Sequence, residues 1–293
     1  MTIELRYPAE GRHHSSFGHD LYLHDGVGYP VCNSGALMHA IDEFPSEHDD
    51  VTIVGFPKSG TNWVQAMVQK LYEDDWGTLK VCDVVPHIDI GTAGGVSGFE
   101  FCADAPRPRL MKSHSPFRHM PRAFRDEHVG KVIYVSRNPK DVCDSFFNQL
   151  DSMRDVQGFT LDWPQWVDHF IAGRVAYGPW IDHVVEWRAR DENDGVLHLT
   201  YESMKSDVRA TLERVVEFLG RPAPERRIDE VISQTEFAAM QKGDGAKLYN
   251  GPVARREGKV GGWRDHLTEE QNAYFDAEIV ARLGAHGIEF TYN

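Results

Sequence analysis

The stretch VTIVGFPKSGTNW at residues 51–63 restricts what this chain can fold into more than any other. Val51, Thr52, Ile53 and Val54 are β-branched, which predicts a short buried strand over 51–56. Gly55, Phe56, Pro57, Lys58, Ser59, Gly60 and Thr61 follow as a tight basic loop. From Asn62 the apolar residues Trp63, Val64, Met67, Val68 and Leu71 recur at three- and four-residue spacing, which predicts a helix over 61–73. A strand that passes through a Gly/Ser loop into a helix N-terminus gathers backbone N–H groups and the positive end of the helix dipole at one point. Lys58 adds a full charge there, so the loop suits phosphate or sulfate.

The nucleotide triphosphate loop, GxxxxGK[ST], is close to this pattern without matching it. There the lysine follows the second glycine and the next hydroxyl holds magnesium. Here Lys58 precedes Gly60, and Thr61 and Asn62 take the places of the lysine and the hydroxyl. An anion loop without the metal-holding hydroxyl points to a different donor.

A second segment, KVIYVSRNPKDVCDSFFN at 131–148, has the same build. Lys131 to Ser136 read as a strand, Arg137 stands at its carboxyl end, and Pro139 suits the first turn of a helix. Ser145 lies about two helical turns beyond Arg137. An arginine presents a planar fork that fits phosphate. In open parallel sheets ligands bind outside the carboxyl ends of the strands, where both Arg137 and the first loop fall.

FPKSGTNW, with Asn62 where a second Thr is common, resembles the 5′-phosphosulfate loop of the cytosolic sulfotransferases. SRNPKDVCDS is similar to their 3′-phosphate site, and ARREGKVGGWRDHLT at 254–268 to the loop that closes over that phosphate. MKSHSP at 111–116 and LTYESMKSD at 199–207 add two lesser matches, all five in the family's order from about residue 50 to 275. The resemblance implies sulfuryl transfer from 3′-phosphoadenosine 5′-phosphosulfate (PAPS) to a hydroxyl or amine of a small molecule. The product would be adenosine 3′,5′-bisphosphate (PAP), with no metal required. Carried over by motif, Lys58, Ser59, Gly60, Thr61, Asn62 and Trp63 hold the 5′ end of the donor. Arg137, Ser145, Arg256 and Gly258 bind the 3′-phosphate, and Trp63, Tyr201, Thr235 and Phe237 form the adenine site. His114 is the match for the catalytic base, with Lys58 and Lys112 stabilising charge and Ser145 engaging Lys58 until acceptor arrives. Imidazole is well suited to take a proton near neutral pH. Lys112, two residues before His114, falls on the same side of a strand.

Two departures from the family bear on function. Glu257 stands where Arg-Lys-Gly is usual, setting a repelling charge beside the 3′-phosphate, which Arg255 or Lys259 would have to offset. The C-terminal dimer motif is also altered: Glu269 and Ala273 occupy its valine and glutamate places, so the usual dimer is not expected.

The remaining strands are expected at 108–113, 131–136 and 196–200, and helices at 139–151, 164–190, 207–219, 224–234 and 269–283. Val215, Val216, Phe218 and Leu219 mark one helix that Gly220 stops. Strands alternating with helices predict an α/β fold, a central parallel sheet with helices on both faces and a P-loop-like strand–loop–helix. No linker, repeat or low-complexity run divides the 293 residues, so one domain is expected. The irregular stretch 83–107, with Phe147 and 240–252, is assigned to the acceptor pocket, together with the N-terminal segment 1–45.

A formal charge of −14 argues against nucleic acid or anionic membrane as partner and requires the donor site to be a local basic pocket. No apolar run approaches the ~18 residues of a membrane span, and the N-terminus lacks a signal-peptide core. Cys32, Cys82, Cys102 and Cys143 show no paired spacing, as expected of reduced thiols in a cytoplasm. His13, His14 and His19 lack the cysteine or carboxylate spacing of a metal tract and read as solvated surface. Two alternatives stay beside the sulfotransferase reading: a P-loop kinase or NTPase, and a non-catalytic nucleotide-binding module.

Overall fold

The computed structural model describes residues 12–13, 18–73, 86–91, 97–105, 107–236 and 258–293. Three antiparallel strands, β1 (Arg12–His13), β2 (Leu21–His24) and β3 (Val27–Pro30), form a small N-terminal sheet. The central sheet holds β4 (Val51–Val54), β5 (Leu110–Ser113), β6 (Lys131–Ser136) and β7 (Val196–Thr200) in the order β5-β4-β6-β7. All its pairings are parallel, with Val54 beside both Ser113 and Tyr134, and Ser136 beside Thr200. Residues 86–88 extend it past β5, since Ile88 N–H donates to Lys112 O and Lys112 N–H to Pro86 O.

Parallel strands covered on both faces read as continuous apolar runs, and β4 is buried at every position. Side chains nevertheless divide by face. Ile133 and Val135 pack with Val64, Leu212, Val215 and Ile228 from the helices Thr61–Leu71, Val208–Leu219 and Glu225–Thr235. Val132 and Tyr134 pack on the other face with Phe124 and Trp187 from Arg122–Glu127 and Trp180–Arg188. The α/β expectation therefore holds, with helices on both faces of a parallel sheet.

Several boundaries differ from the sequence expectation. The first strand ends earlier than expected, at Val54, and the second starts later, at Leu110. The helix expected over 164–190 is two, Trp163–Ile171 and Trp180–Arg188. Gly173, Tyr177 and Gly178 take positive φ between them and Pro179 caps the second, so apolar periodicity continues across a broken backbone. The stretch 83–107 contains a helix, Gly98–Asp104, closed by a reciprocal capping box between Ser97 and Glu100. The helix expected over 269–283 runs as Glu269–Phe275, a π-helical turn Asp276–Val280 and Ala281–Ala285, so Glu269 and Ala273 sit in its first segment. The N-terminal sheet and the helix Gly35–Asp42 were not anticipated. Among the described residues no helix is long and apolar enough to cross a membrane.

At the amino ends of β4 and β5 a buried ion pair fixes the sheet. Arg109 Nε and Nη2 donate to Asp50 Oδ1 and Oδ2 at 2.7 and 2.6 Å, and Nη2 also reaches Pro45 O at 2.7 Å. Both side chains are 2% exposed, so removing one leaves the other buried without its counter-charge. Arg109→Met should destabilise the fold by about 3–5 kcal/mol in urea unfolding, and an unchanged midpoint would show that the pair does not hold the strands.

Candidate active site

Because β4, β5, β6 and β7 run parallel and in register, their carboxyl ends deliver Gly55, His114, Arg137 and Tyr201 to one edge of the sheet. The loop after β4 turns sharply there: Lys58 has φ +73° and Gly60 +104°. A Cβ on Gly60 would approach the Tyr201 ring to 2.8 Å, so this position needs glycine for both its φ and its room. No side chain caps the helix Thr61–Leu71 that follows, which leaves its first-turn amides directed at the loop mouth. Ser59 is fully buried and its Oγ has no protein partner.

Arg137 forms a second basic element opposite. Its guanidinium lies 4.3 Å over the Tyr201 ring and donates to the backbone oxygens of Lys58 (3.4 Å) and Lys259 (3.1 Å). Arg137 Nε is buried with no partner. Tyr201 Oη donates to Gly258 O at 2.6 Å, and Trp63 meets the Tyr201 ring edge-on with centroids 6.0 Å apart. Asp141 anchors the incoming C-terminal segment, its carboxylate accepting from Gly261 N–H (2.9 Å) and Trp263 N–H (3.1 Å).

His114 sits between these two elements and a buried carboxylate. Its Nδ1 is 2.5 Å from Gly55 O. A carbonyl only accepts, so Nδ1 carries the proton and Nε2 is the lone-pair nitrogen. Asp89 Oδ2 accepts from His114 N–H (2.7 Å), Ser113 Oγ (2.9 Å) and Ser115 Oγ (3.1 Å). The His114 ring is flanked by His87 and Tyr177, with centroids 4.9 and 5.3 Å away. Burial, with His87 and Lys112 beside it, holds the His114 imidazole well below its ordinary range, against the opposing effect of Asp89. Burial opposes ionisation of Asp89, yet His87 and His114 hold its carboxyl down at about 2. Lys112 donates to Asn62 Oδ1 and, at 3.2 Å, to Gln65 Oε1, and burial together with Lys58 lowers its ammonium to about 8.

An anion loop, a clamped arginine and an oriented imidazole at one sheet edge can be set beside known proteins. The model of the family described as "Sulfotransferase domain" matches residues 48–287. The chain belongs to the sulfotransferase family. It is 32% identical to bovine sulfotransferase 1A1 over 267 residues, covering 86% of this chain and 89% of that one. Mouse sulfotransferase 1B1 is likewise 32% identical, with 90% and 92% covered. Among solved structures, mouse sulfotransferase SULT7A1 complexed with PAP superposes with a TM-score of 0.75 at 27% identity, over 90% of this chain and 94% of that one. Retinol dehydratase in a complex with retinol and PAP shares the fold, with a TM-score of 0.77 at 18% identity over 99% and 97% of the two chains.

In this sulfotransferase the sequence-derived residues Lys58, Ser59, Gly60, Thr61, Asn62, Trp63, Lys112, His114, Arg137, Tyr201 and Gly258 converge on one edge. Ser145 is half-buried two turns into the helix Pro139–Ser152. Thr235 is buried at the end of its helix, and its hydroxyl donates to Val231 O at 2.7 Å. Phe237, Arg256 and Glu257, with the pocket segment 240–252, lie outside the described residues. Phe147 packs against Phe159 and Trp163 at 6.0 and 5.2 Å, within an aromatic cluster. Asp89, His87, Tyr177 and Asp141 were missed. Tyr177 had a readable signal, since the YGP run at 177–179 marks a break and Tyr177 adopts φ +67°.

Histidine NMR should find His114 as the Nδ1-protonated neutral tautomer at pH 7, with protonation only below 6.5. An Nε2-protonated ring would contradict the orientation given by Gly55.

Proposed function

We propose that this sulfotransferase moves a sulfuryl group from PAPS to a hydroxyl or amine of a small-molecule acceptor, with His114 as general base. The observation that carries the reading is the bond from His114 Nδ1 to Gly55 O, which sets the basic Nε2 on an imidazole tied to the anion loop itself. The unpartnered Ser59 Oγ and Arg137 Nε, and the uncapped helix start, suit a ligand with anionic groups at both ends. PAP bound in the mouse SULT7A1 structure supports the same assignment. When bound, the donor supplies the sulfuryl group and a phosphate leaving group.

The residues divide the work by position. Lys58, Ser59, Gly60, Thr61 and Asn62 hold the 5′ end, and Trp63 with Tyr201, Thr235 and Phe237 the adenine. Arg137, Ser145, Arg256 and Gly258 take the 3′-phosphate. His114 Nε2 accepts the proton that the acceptor loses on attack, while Lys58 stabilises charge on the bridging oxygen and Lys112 on the transferring group. His87 and Tyr177, beside the base, line the acceptor side. The same reading takes residues 1–293 as one domain in the cytoplasm, in keeping with the free thiols of Cys32, Cys102 and Cys143. A kinase reading is disfavoured because Thr61 and Asn62 stand where the lysine and magnesium-holding hydroxyl belong.

Conversion of PAPS to PAP in the presence of a panel of phenols, alcohols and amines, with mass detection of sulfated product, tests the function. His114→Ala should lower turnover by about 10²–10⁴ while leaving PAP affinity unchanged. Sustained turnover in that variant would remove His114 as base. Arg137→Ala should weaken PAP but spare adenosine 5′-phosphate, and equal weakening of both would contradict a 3′-phosphate role.

The pH profile follows from the two shifted groups. His114 acts unprotonated, so kcat/KM should fall only as pH drops below 6.5. Lys112 acts charged, so kcat/KM should fall again as pH rises through about 8. An acid limb above 6.5 would assign the base to another group.

A further inference from the structure

We propose that His24, Asp25 and His119 form a binding site for a divalent transition metal of the zinc class, outside the catalytic edge. His119 lies far along the chain from the adjacent pair His24 and Asp25, and the fold brings it to them. His24 ends β2, and Asp25 and Gly26, with φ +46° and +77°, make the two-residue turn into β3. His119 closes the 3₁₀ turn Phe117–His119 that follows β5.

The coordinating atoms of the three side chains all lie within 4.8 Å of one another. Asp25 Oδ2 is 3.8 Å from Nε2 of His24 and 3.8 Å from Nε2 of His119. Ligands of a tetrahedral zinc, with bonds of about 2.0–2.1 Å, stand roughly 3.3 Å apart. Closing that difference takes a small rotation of Asp25, whose side chain is 75% exposed on its turn.

The polarity of a buried hydrogen-bond chain decides which nitrogen of His119 is available. Asp89, held ionised, only accepts, so Ser115 Oγ donates to it at 3.1 Å. Tyr29 Oη donates to Ser115 Oγ at 3.3 Å. His119 Nδ1, 2.8 Å from Tyr29 Oη, must then be the donor to that oxygen. The lone pair of His119 is therefore on Nε2, on a side chain only 5% exposed, with no hydrogen-bond partner and facing the Asp25 carboxylate. Two acceptors facing each other call for a cation between them.

The nearby side-chain cations do not meet that need. Arg118 is itself paired with Glu186, and Arg125, the other cation acting on His119, with Asp42. Two imidazoles and a carboxylate, one imidazole oriented through its second nitrogen, form a donor set suited to Zn²⁺ or Co²⁺, with a position left for water. A bound ion would tie the β2–β3 hairpin to the segment that leaves His114, through Tyr29 and Ser115.

Co²⁺ titration of tag-free, chelator-treated protein, followed by visible absorption, tests the site. One Co²⁺ per chain should bind with a tetrahedral-type spectrum and be displaced by Zn²⁺. Asp25→Asn, which keeps a residue tolerant of the turn, and His24→Ala should each weaken Co²⁺ by about tenfold or more. Absence of saturable absorption, or equal affinity in both variants, would overturn the proposal. So would NMR evidence that His119 in the metal-free protein is an imidazolium at neutral pH, which would make a proton the cation.

Discussion

The parallel pairing of β4 with both β5 and β6 sets everything else in position. With Val54 beside Ser113 and Tyr134, the chain leaves three neighbouring strands at one edge, into the loop of Lys58, the segment of His114 and Arg137. A slip of one residue in any pairing would turn the side chains of that strand to the opposite face. The Asp50–Arg109 pair at the other end of β4 and β5 resists such a slip from below.

Asp89 performs a second, more local task. Its single carboxylate oxygen accepts from three consecutive residues, Ser113, His114 and Ser115, and so fixes the turn on which the imidazole stands. The imidazole in turn bonds Gly55 O, which couples it to the loop after β4 within one network. His183 adds support from behind: Nε2–H donates to His114 O at 3.0 Å while Nδ1 accepts from Tyr134 Oη at 3.0 Å. The imidazole is thereby oriented by the buried side chains of Asp89 and His183.

Much of this was legible in the sequence because its signals are local. β-branched runs marked β4 and β6, and Gly60, Lys58, Arg137 and Pro139 marked the turns and helix starts that follow them. Asp89 was not legible, since a lone aspartate in an irregular stretch carries no sign of the three donors that fold onto it. The break at Gly173–Pro179 escaped for the opposite reason: apolar spacing persisted through it, and only the conformations of Gly173, Tyr177 and Gly178 divide the helices. The N-terminal sheet was missed because strands of two to four residues are too short to carry a readable alternation of their own.

The proposed function requires this edge to bind a 3′-phosphorylated adenine nucleotide without a metal. Calorimetric titration with PAP in the presence of chelator, alongside ATP with magnesium, tests it most directly. Tight, metal-independent PAP binding, a higher melting temperature in its presence and weak ATP binding are expected. Tight magnesium-dependent ATP binding with no response to PAP would contradict it and return the loop to phosphoryl chemistry.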